Sequence, residues 1–447
     1  MNLALLALLP AALLLDRLFG ELPSRIHPVC LMGALAARLE TLFRRGPNNA
    51  LLFLSGTLAC LLVVLPFAAV AGGLTWAAEL YGGPRAGWFV AVALLYVCLA
   101  PKSLDQHALR VALPLAKNDL EGARKAVSMM VGRNTASLDA HGVARACVES
   151  VAENLTDGVL STLFWAGVGL LLFGYPGAAC LAVLHRSANV LDALWGKRNE
   201  TYIRFGTFAA RLDDILNFVP ARLSLPCIAF ASRIIPNLRH GDILRVGWAY
   251  RAAHESPNSA WSEAAFAGAL GLRLGGPAVY NGQAVNHPWL GEGTPDAAPA
   301  HIVLAVRLMW HSIIVFTLFE VFAVGMIFMK VMGTGMLKLG EGKGKLAEAR
   351  FPFPSPKPPP FPFQRLLTVS NPFSEAFPVG GSAGAVWFFL LKKAASEKRV
   401  DALFLTMPKE YPVKGPMHGF RREENWRKRP SFHRAVEMKQ PHSMTEP

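Results

Sequence analysis

The chain has 447 residues, of which 52% are hydrophobic and only 17% charged, against about 25% charged in an ordinary soluble domain. Its net charge of +14 is uneven: residues 326–447 hold 20 Lys and Arg against 10 Asp and Glu, leaving 25 against 21 in residues 1–325. That balance excludes a nucleic-acid-binding main domain. Six scattered cysteines, none in a CxxC pair, exclude a disulfide framework and a cysteine zinc site.

Low overall charge leaves long uncharged runs at residues 50–78, 86–101 and 159–184. A membrane-spanning helix needs about 20 apolar residues, so the expected class is an all-α, polytopic integral membrane protein lying in the lipid bilayer. Residues 1–15 are apolar but short and lack a basic leader, which predicts a helix in or against the bilayer rather than a cleaved signal. Asp16 and His27 follow at a membrane boundary, where they serve either a ligand or a helix end. The runs 50–78 and 86–101 are joined by a short connection and predict a transmembrane hairpin. Residues 16–49 and 102–158 then share a side. They carry most of the basic residues, and only Arg85 sits on the turn, so the positive-inside rule places them in the cytoplasm.

Asp119 is a candidate N-cap for a helical pair over residues 117–132. Gly132-Arg133-Asn134-Thr135 is a polar turn able to hold a phosphate. The chain centres on residues 148–165, VESVAENLTDGVLSTLFW. Glu149, Glu153 and Asp157 fall at i, i+4 and i+8, one acidic stripe on a helix with Asn154 beside it. Such a stripe repels itself unless a cation or a metal–polyphosphate complex sits there. The run after it bends at Gly174-Tyr175-Pro176-Gly177, because a single crossing would put the basic residues 185–222 outside.

Within 185–222, Asn189 and Asp192 share a helix face with Trp195. Arg198 and Asn199 end that helix. Arg211, Asp213, Asp214 and Asn217 follow, and Pro220 is expected to break the pattern. His254-Glu255-Ser256-Pro257-Asn258 leads into an Ala-rich helix, and Gly275-Gly276-Pro277 is read as a turn. The last apolar helix, 302–329, carries Arg307, His311 and Glu320, expected to face a bundle interior. The domain boundary falls at residue 325, and 326–447 is expected to be a mostly disordered, proline-rich extension with at best a short helix at 387–393.

Six ordered stretches carry a resemblance over about residues 3–325: DRLFGE with HPV and MG, AVSMMVGRNT, VESVAENLTDGV, NVLDALWGKRNETY, ARLDDILNFVPARL and HESPNSAWSEAAFAGALGLRLGGP. In these the chain resembles the adenosylcobinamide-phosphate synthase family of cobalamin biosynthesis, the CobD/CbiB-type proteins of bacterial and archaeal cell membranes. It departs from the family pattern at Thr162, Ser259, Ala260 and Ser262, and at Lys197. The resemblance implies ATP-dependent joining of a carboxylate of adenosylcobyric acid to the amine of aminopropanol or its phosphate. Partners in cobalamin assembly would be the other enzymes of the pathway, and no nucleic acid is expected.

That reaction would need Mg²⁺ on oxygen ligands. Glu149, Glu153, Asp157, Asp192, Asp213 and Asp214 are the candidates, the last three chiefly for metal. Glu149, Glu153, Asn154, Asp157 and His254 are the candidate catalytic groups, with His254 as the base for the amine. Arg133, Arg198 and Arg211, with Asn189, Asn199 and Asn258, are candidate substrate-binding residues. No P-loop or other nucleotide signature is present. A secondary transporter also sets carboxylates beside broken helices, and a scaffold of a cobalamin-assembly complex would leave the polar motifs dispensable. A CDP-alcohol phosphotransferase is excluded because DGVLST at 157–162 lacks its Asp-Gly-x-x-Ala-Arg pattern.

Overall fold

The computed structural model describes residues 3–45, 48–280 and 283–340. The expected short helix at 387–393 and the proline-rich stretch lie outside them. The chain opens with α1 (Leu3–Phe19) and α2 (Pro28–Phe43), then α3 (Asn49–Cys98), α4 (Pro101–Ala116) and α5 (Leu120–Val127). A central unit follows: α6 (Ala140–Asn154), a π-helical turn (Leu155–Leu160) and α7 (Ser161–Trp195). After it come α8 (Thr207–Ser232), α9 (Asp242–Tyr250), α10 (Ser259–Leu270), a hairpin of β1 (Leu274–Tyr280) and β2 (Gln283–Leu290), and α11 (Pro299–Gly340). Four helical stretches, Asn49–Ala116, Ala140–Trp195, Thr207–Ser232 and Pro299–Lys330, are long and apolar enough to cross a membrane. The protein is a polytopic helical membrane protein.

Helix starts follow local chemistry. Asn48 accepts from Leu51 N, Asp119 from Gly122 N and Asp139 from Gly142 N, each capping its helix. The expected helical pair over 117–132 is one capped helix, α5, entered through Asn118 at φ 59°. His27 caps α2 through Nδ1. Asp16 is fully buried and accepts from Lys102 N at 2.9 Å, at the start of α4. Both residues therefore shape helix ends.

Two long helices double back. In α3 the reversal is at Gly83 (φ 77°, ψ 178°). A Cβ on Gly87 would lie 2.8 Å from Glu79 Cβ, whereas eight residues of straight helix separate their ends by about 12 Å. In α7, Phe173 and Gly174 leave helical geometry, and Gly169 meets the backbone of Gly177. Both expected hairpins are thus present, and the single crossing of residues 159–184 is not. The legs pack through small residues: a Cβ on Gly72 of α3 would come 3.1 Å from Cys180 Cβ of α7, the close approach usual between membrane helices. One core draws on α1 and α3 to α11, and a second joins α2 to parts of α3, α7 and α8.

Two expectations fail for identifiable reasons. Pro220 does not end α8, which continues through it and through Pro226. A helical proline at 220 releases the carbonyl of Leu216, and Trp165 Nε1 of α7 donates to that oxygen at 2.9 Å. Helix α8 also lies beyond the uncharged runs, because Arg211, Asp213, Asp214 and Arg222 interrupt its apolar sequence. Gly275-Gly276-Pro277 is not a turn but an irregular stretch of β1, with φ 75° and 80° at the glycines and a register shift against β2. The last helix, α11, spans Pro299–Gly340. Within it Glu320 is buried against Gly167 of α7, facing the bundle interior.

Candidate active site

The acidic stripe lies where α6 meets α7. Glu149 and Glu153 are on the last turns of α6, and Asp157 is inside the π-helical turn. A π turn adds a residue to the helical repeat and is common at functional sites. Here it rotates Asp157 relative to the stripe that an unbroken helix would present.

Glu149 is buried and fully engaged. It pairs with Arg133 and accepts from the Gly275 backbone N–H at 2.7 Å, so it ties the 132–135 turn and the β hairpin to α6. Arg133 thus meets a carboxylate inside the protein. Among the described residues, Glu153 has one hydrogen bond, from Ser259 Oγ at 3.5 Å, and Asp157 Oδ1 is buried without a hydrogen-bond partner, a state that ordinarily demands an explanation.

Other helices add acids to this set. Asp157 is within electrostatic reach of Asp213, Glu153, Asp192 and Asp214, and Glu153 within reach of Glu149 and Asp192. Glu263 of α10 joins Glu153, Glu149 and Asp157 from the other side. Seven carboxylates therefore form a continuous band: Asp214, Asp192, Asp213, Asp157, Glu153, Glu263 and Glu149. Burial, and then the charges of Glu153 and Glu149, push the Glu263 carboxyl well above its ordinary range. Among the described residues, no three His, Cys, Asp or Glu side chains stand close enough to hold a metal ion as they are.

A buried chain of hydrogen bonds supports Asp213. Asn217 Nδ2 donates to Asp213 Oδ2 at 2.8 Å, which leaves Asn217 Oδ1 as an acceptor 3.1 Å from His185 Nε2. His185 Nδ1 in turn lies 3.0 Å from Thr162 Oγ1. With the amide in this orientation, Thr162 O–H donates to Nδ1, and Nε2–H donates to Asn217. Thr162 anchors this chain at its α7 end.

The remaining sequence candidates divide. Asn258 Nδ2 donates to the Asp214 carbonyl at 2.9 Å, and its Oδ1 lies 3.3 Å from Arg222, so it belongs to the band's edge. Asn189 accepts from Arg186 at 3.1 Å and faces Asp213. Arg211 reaches Asp214 at 3.8 Å, and Arg198 pairs with Glu255 at 3.2 Å, both mostly exposed at the rim. Asn199 turns its Oδ1 onto Tyr202 N and stays out of the band. His254 Nδ1 accepts from Ser256 N at 3.0 Å. That bond puts the neutral ring's proton on Nε2, so His254 presents a donor rather than the free base expected. Burial, then His287, holds its pKa below the ordinary 6.5.

Sequence reasoning missed Glu263, His185 and Arg186 as site residues. Each lies in or beside an apolar stretch, with no acidic or basic neighbour at helical spacing to mark it. The signal available was a charge placed among alanines or at the end of an apolar run.

The family model described as "CobD/Cbib protein" matches residues 9–309. The chain belongs to the CobD/CbiB family. It is 40% identical over 301 residues to the cobalamin biosynthesis protein CobD of Klebsiella pneumoniae subsp. pneumoniae, covering 67% of this chain and 91% of that one. With CobD of Stutzerimonas stutzeri it shares 42% identity over 70% of this chain and 95% of the relative. With CbiB of Salmonella typhimurium it shares 38% over 67% and 91%. No solved structure matches the chain. The CobD/CbiB match spans every element of the acid band, from Arg133 to Gly275.

Proposed function

We propose that this CobD/CbiB protein is an adenosylcobinamide-phosphate synthase, a membrane ligase that uses ATP to join a carboxylate of adenosylcobyric acid to aminopropanol or its phosphate. The observation that carries the reading is the acid band itself. Seven carboxylates from α6–α7, α8 and α10 come within electrostatic reach of one another, with Arg133 paired to Glu149 and Arg211 reaching Asp214 at the rim. So many like charges cost stability wherever they are ionised, and proteins retain such arrangements for chemistry.

The donor set suits Mg²⁺. It consists of carboxylate oxygens, and Asp157 Oδ1 has no protein partner. Mg²⁺ usually takes one or two carboxylates and completes its shell with waters and substrate phosphates. A band without a ready-made three-ligand cage therefore fits a cation that arrives with a nucleoside triphosphate. Asp157, Asp192 and Asp213 would hold it, and it would supply charge neutralisation at the phosphates.

The chain's own residues then have separable tasks. Glu149, Arg133 and Gly275 fix the hairpin over the band. The Thr162–His185–Asn217 chain fixes the Asp213 carboxyl. His254, donating through Nε2, would hold an acceptor oxygen of a substrate. Glu153, weakly engaged and within electrostatic reach of Glu263, would take the proton an attacking amine must lose.

The test uses the purified full chain in detergent or nanodiscs with adenosylcobyric acid, ATP, Mg²⁺ and either amine. The reading expects an amide product that needs all four components. Absence of product from a folded, monodisperse protein, with both amines offered, would refute it. The bacterial setting of the relatives and the excess of Lys and Arg in the polar segments support a cell-membrane location with those segments in the cytoplasm.

A further inference from the structure

On the flank of the α6–α7 junction away from Glu149 lies a cleft of about 290 Å³, near the lower end of the roughly 300–1,000 Å³ typical of ligand sites. Its polar lining comes from four parts of the chain: Glu21 after α1, Ser103 and His107 of α4, Asn154 and Gly158 of the α6–π unit, and Arg186 of α7. Asn154 and Gly158 are the immediate chain neighbours of Glu153 and Asp157, and Arg186 connects to the band through Asn189, which faces Asp213.

Arg186 is the unusual member. Its Nη1 donates to Asn189 Oδ1 at 3.1 Å, but among the described residues its buried Nε has no hydrogen-bond partner and no carboxylate comes within salt-bridge distance of it. Glu21 and Asp213 act on it only from farther off, and a buried guanidinium without a direct ion pair is costly. Gly158 keeps the approach open: even a Cβ there would sit 3.7 Å from Arg186 Nη1. Glu21 lines the same cleft: it is half exposed, lies 3.9 Å from His27 Nε2, and its Oε2 accepts from Ser103 Oγ at 2.7 Å. The cleft thus offers a positive fork and a negative carboxylate within electrostatic reach of each other, in a space too small for a macrocycle.

We propose that this cleft is a subsite for a small amine bearing a phosphate, with Arg186 as the specificity-determining residue for the phosphate and Glu21 facing the ammonium. The inference rests on the synthase reading for its relevance to turnover, but not for its test. Planar guanidinium and phosphate match bidentately, and the Asn154 amide and Ser103 hydroxyl are within the same lining.

Calorimetric titration of the full chain in detergent, at fixed ionic strength, tests this with three probes: 1-aminopropan-2-ol O-phosphate, free 1-aminopropan-2-ol and inorganic phosphate. Wild type is expected to bind the phosphorylated amine at least ~10-fold more tightly than either fragment. R186Q should lose at least ~10-fold for the phosphorylated amine and for phosphate while leaving the free amine unchanged. E21Q should weaken both amines and spare phosphate. If R186Q does not fold, R186K keeps the charge without the fork and should still lose most of the preference for the phosphorylated amine. The proposal is overturned if wild type shows no such preference, or if the Arg186 variant retains it. Binding without turnover would sink the synthase reading and leave the subsite. Turnover with an unaltered R186Q preference would do the reverse.

Discussion

Glu149 and Asp157 differ by eight residues and by everything they touch, and paired substitutions separate a structural carboxylate from a working one. Glu149→Gln removes the charge opposite Arg133 but keeps an oxygen that can accept from Gly275 N–H. Removing one partner of a buried ion pair costs about 3–5 kcal/mol. Here Arg133 still faces Glu153 and Glu263, which reduces the expected loss to about 1–2 kcal/mol. At roughly 2–4 °C per kcal/mol, the melting temperature should fall by about 2–8 °C. Asp157→Asn removes one charge from a neighbourhood of four other carboxylates and breaks no ion pair, so its melting temperature should stay level or rise. Tryptophan fluorescence melts of the detergent-purified proteins, at low and high salt, measure both. An Asp157→Asn protein that loses as much stability as Glu149→Gln would refute this division of roles.

Further outcomes follow from the same geometry. Glu153→Gln and Asp157→Asn should each lower turnover at least ~100-fold, about 2.7 kcal/mol of barrier, with normal membrane insertion; near wild-type turnover in both would remove the band from the chemistry. Trp165→Phe should destabilise by about 1–2 kcal/mol by leaving the Leu216 carbonyl unpaired at Pro220, and the loss should vanish when Pro220→Ala restores the helical donor. His254 has a lowered pKa, so its neutral, donating form persists as pH falls below 6.5. The acid limb of kcat/KM that depends on it should therefore lie below pH 6.5 and disappear in His254→Gln; a limb at or above 6.5 would contradict the assignment.

What the sequence revealed and what it hid have physical causes. Uncharged runs and glycine–proline breaks mark the two reversals, because lipid leaves few ways to satisfy a turning backbone. The three acids of α6 and the π turn are visible because helical spacing lines them up. The π turn itself is not, since an extra residue leaves no trace in an i, i+4 pattern. Glu263 is hidden because its charged neighbours come from α6, more than a hundred residues earlier. Pro220 misleads because its compensation, the Trp165 indole, comes from another helix. For Asp16 and His27 the sequence left a ligand or a helix end open; His27 caps its own helix locally, whereas the Lys102 N–H that Asp16 accepts from is brought to it only by tertiary packing.

The central claim is that a carboxylate is activated at the expense of ATP and then captured by an amine. Adenosylcobyric acid labelled with ¹⁸O in its reacting carboxylate tests it directly, with the purified full chain, ATP, Mg²⁺ and the amine. Amide formation by phosphoryl activation leaves one carboxylate oxygen on the released phosphate, so mass spectrometry of that phosphate should show one ¹⁸O per amide formed. Amide product accompanied by unlabelled phosphate and unlabelled nucleotide, or formed equally well without ATP, would contradict the account.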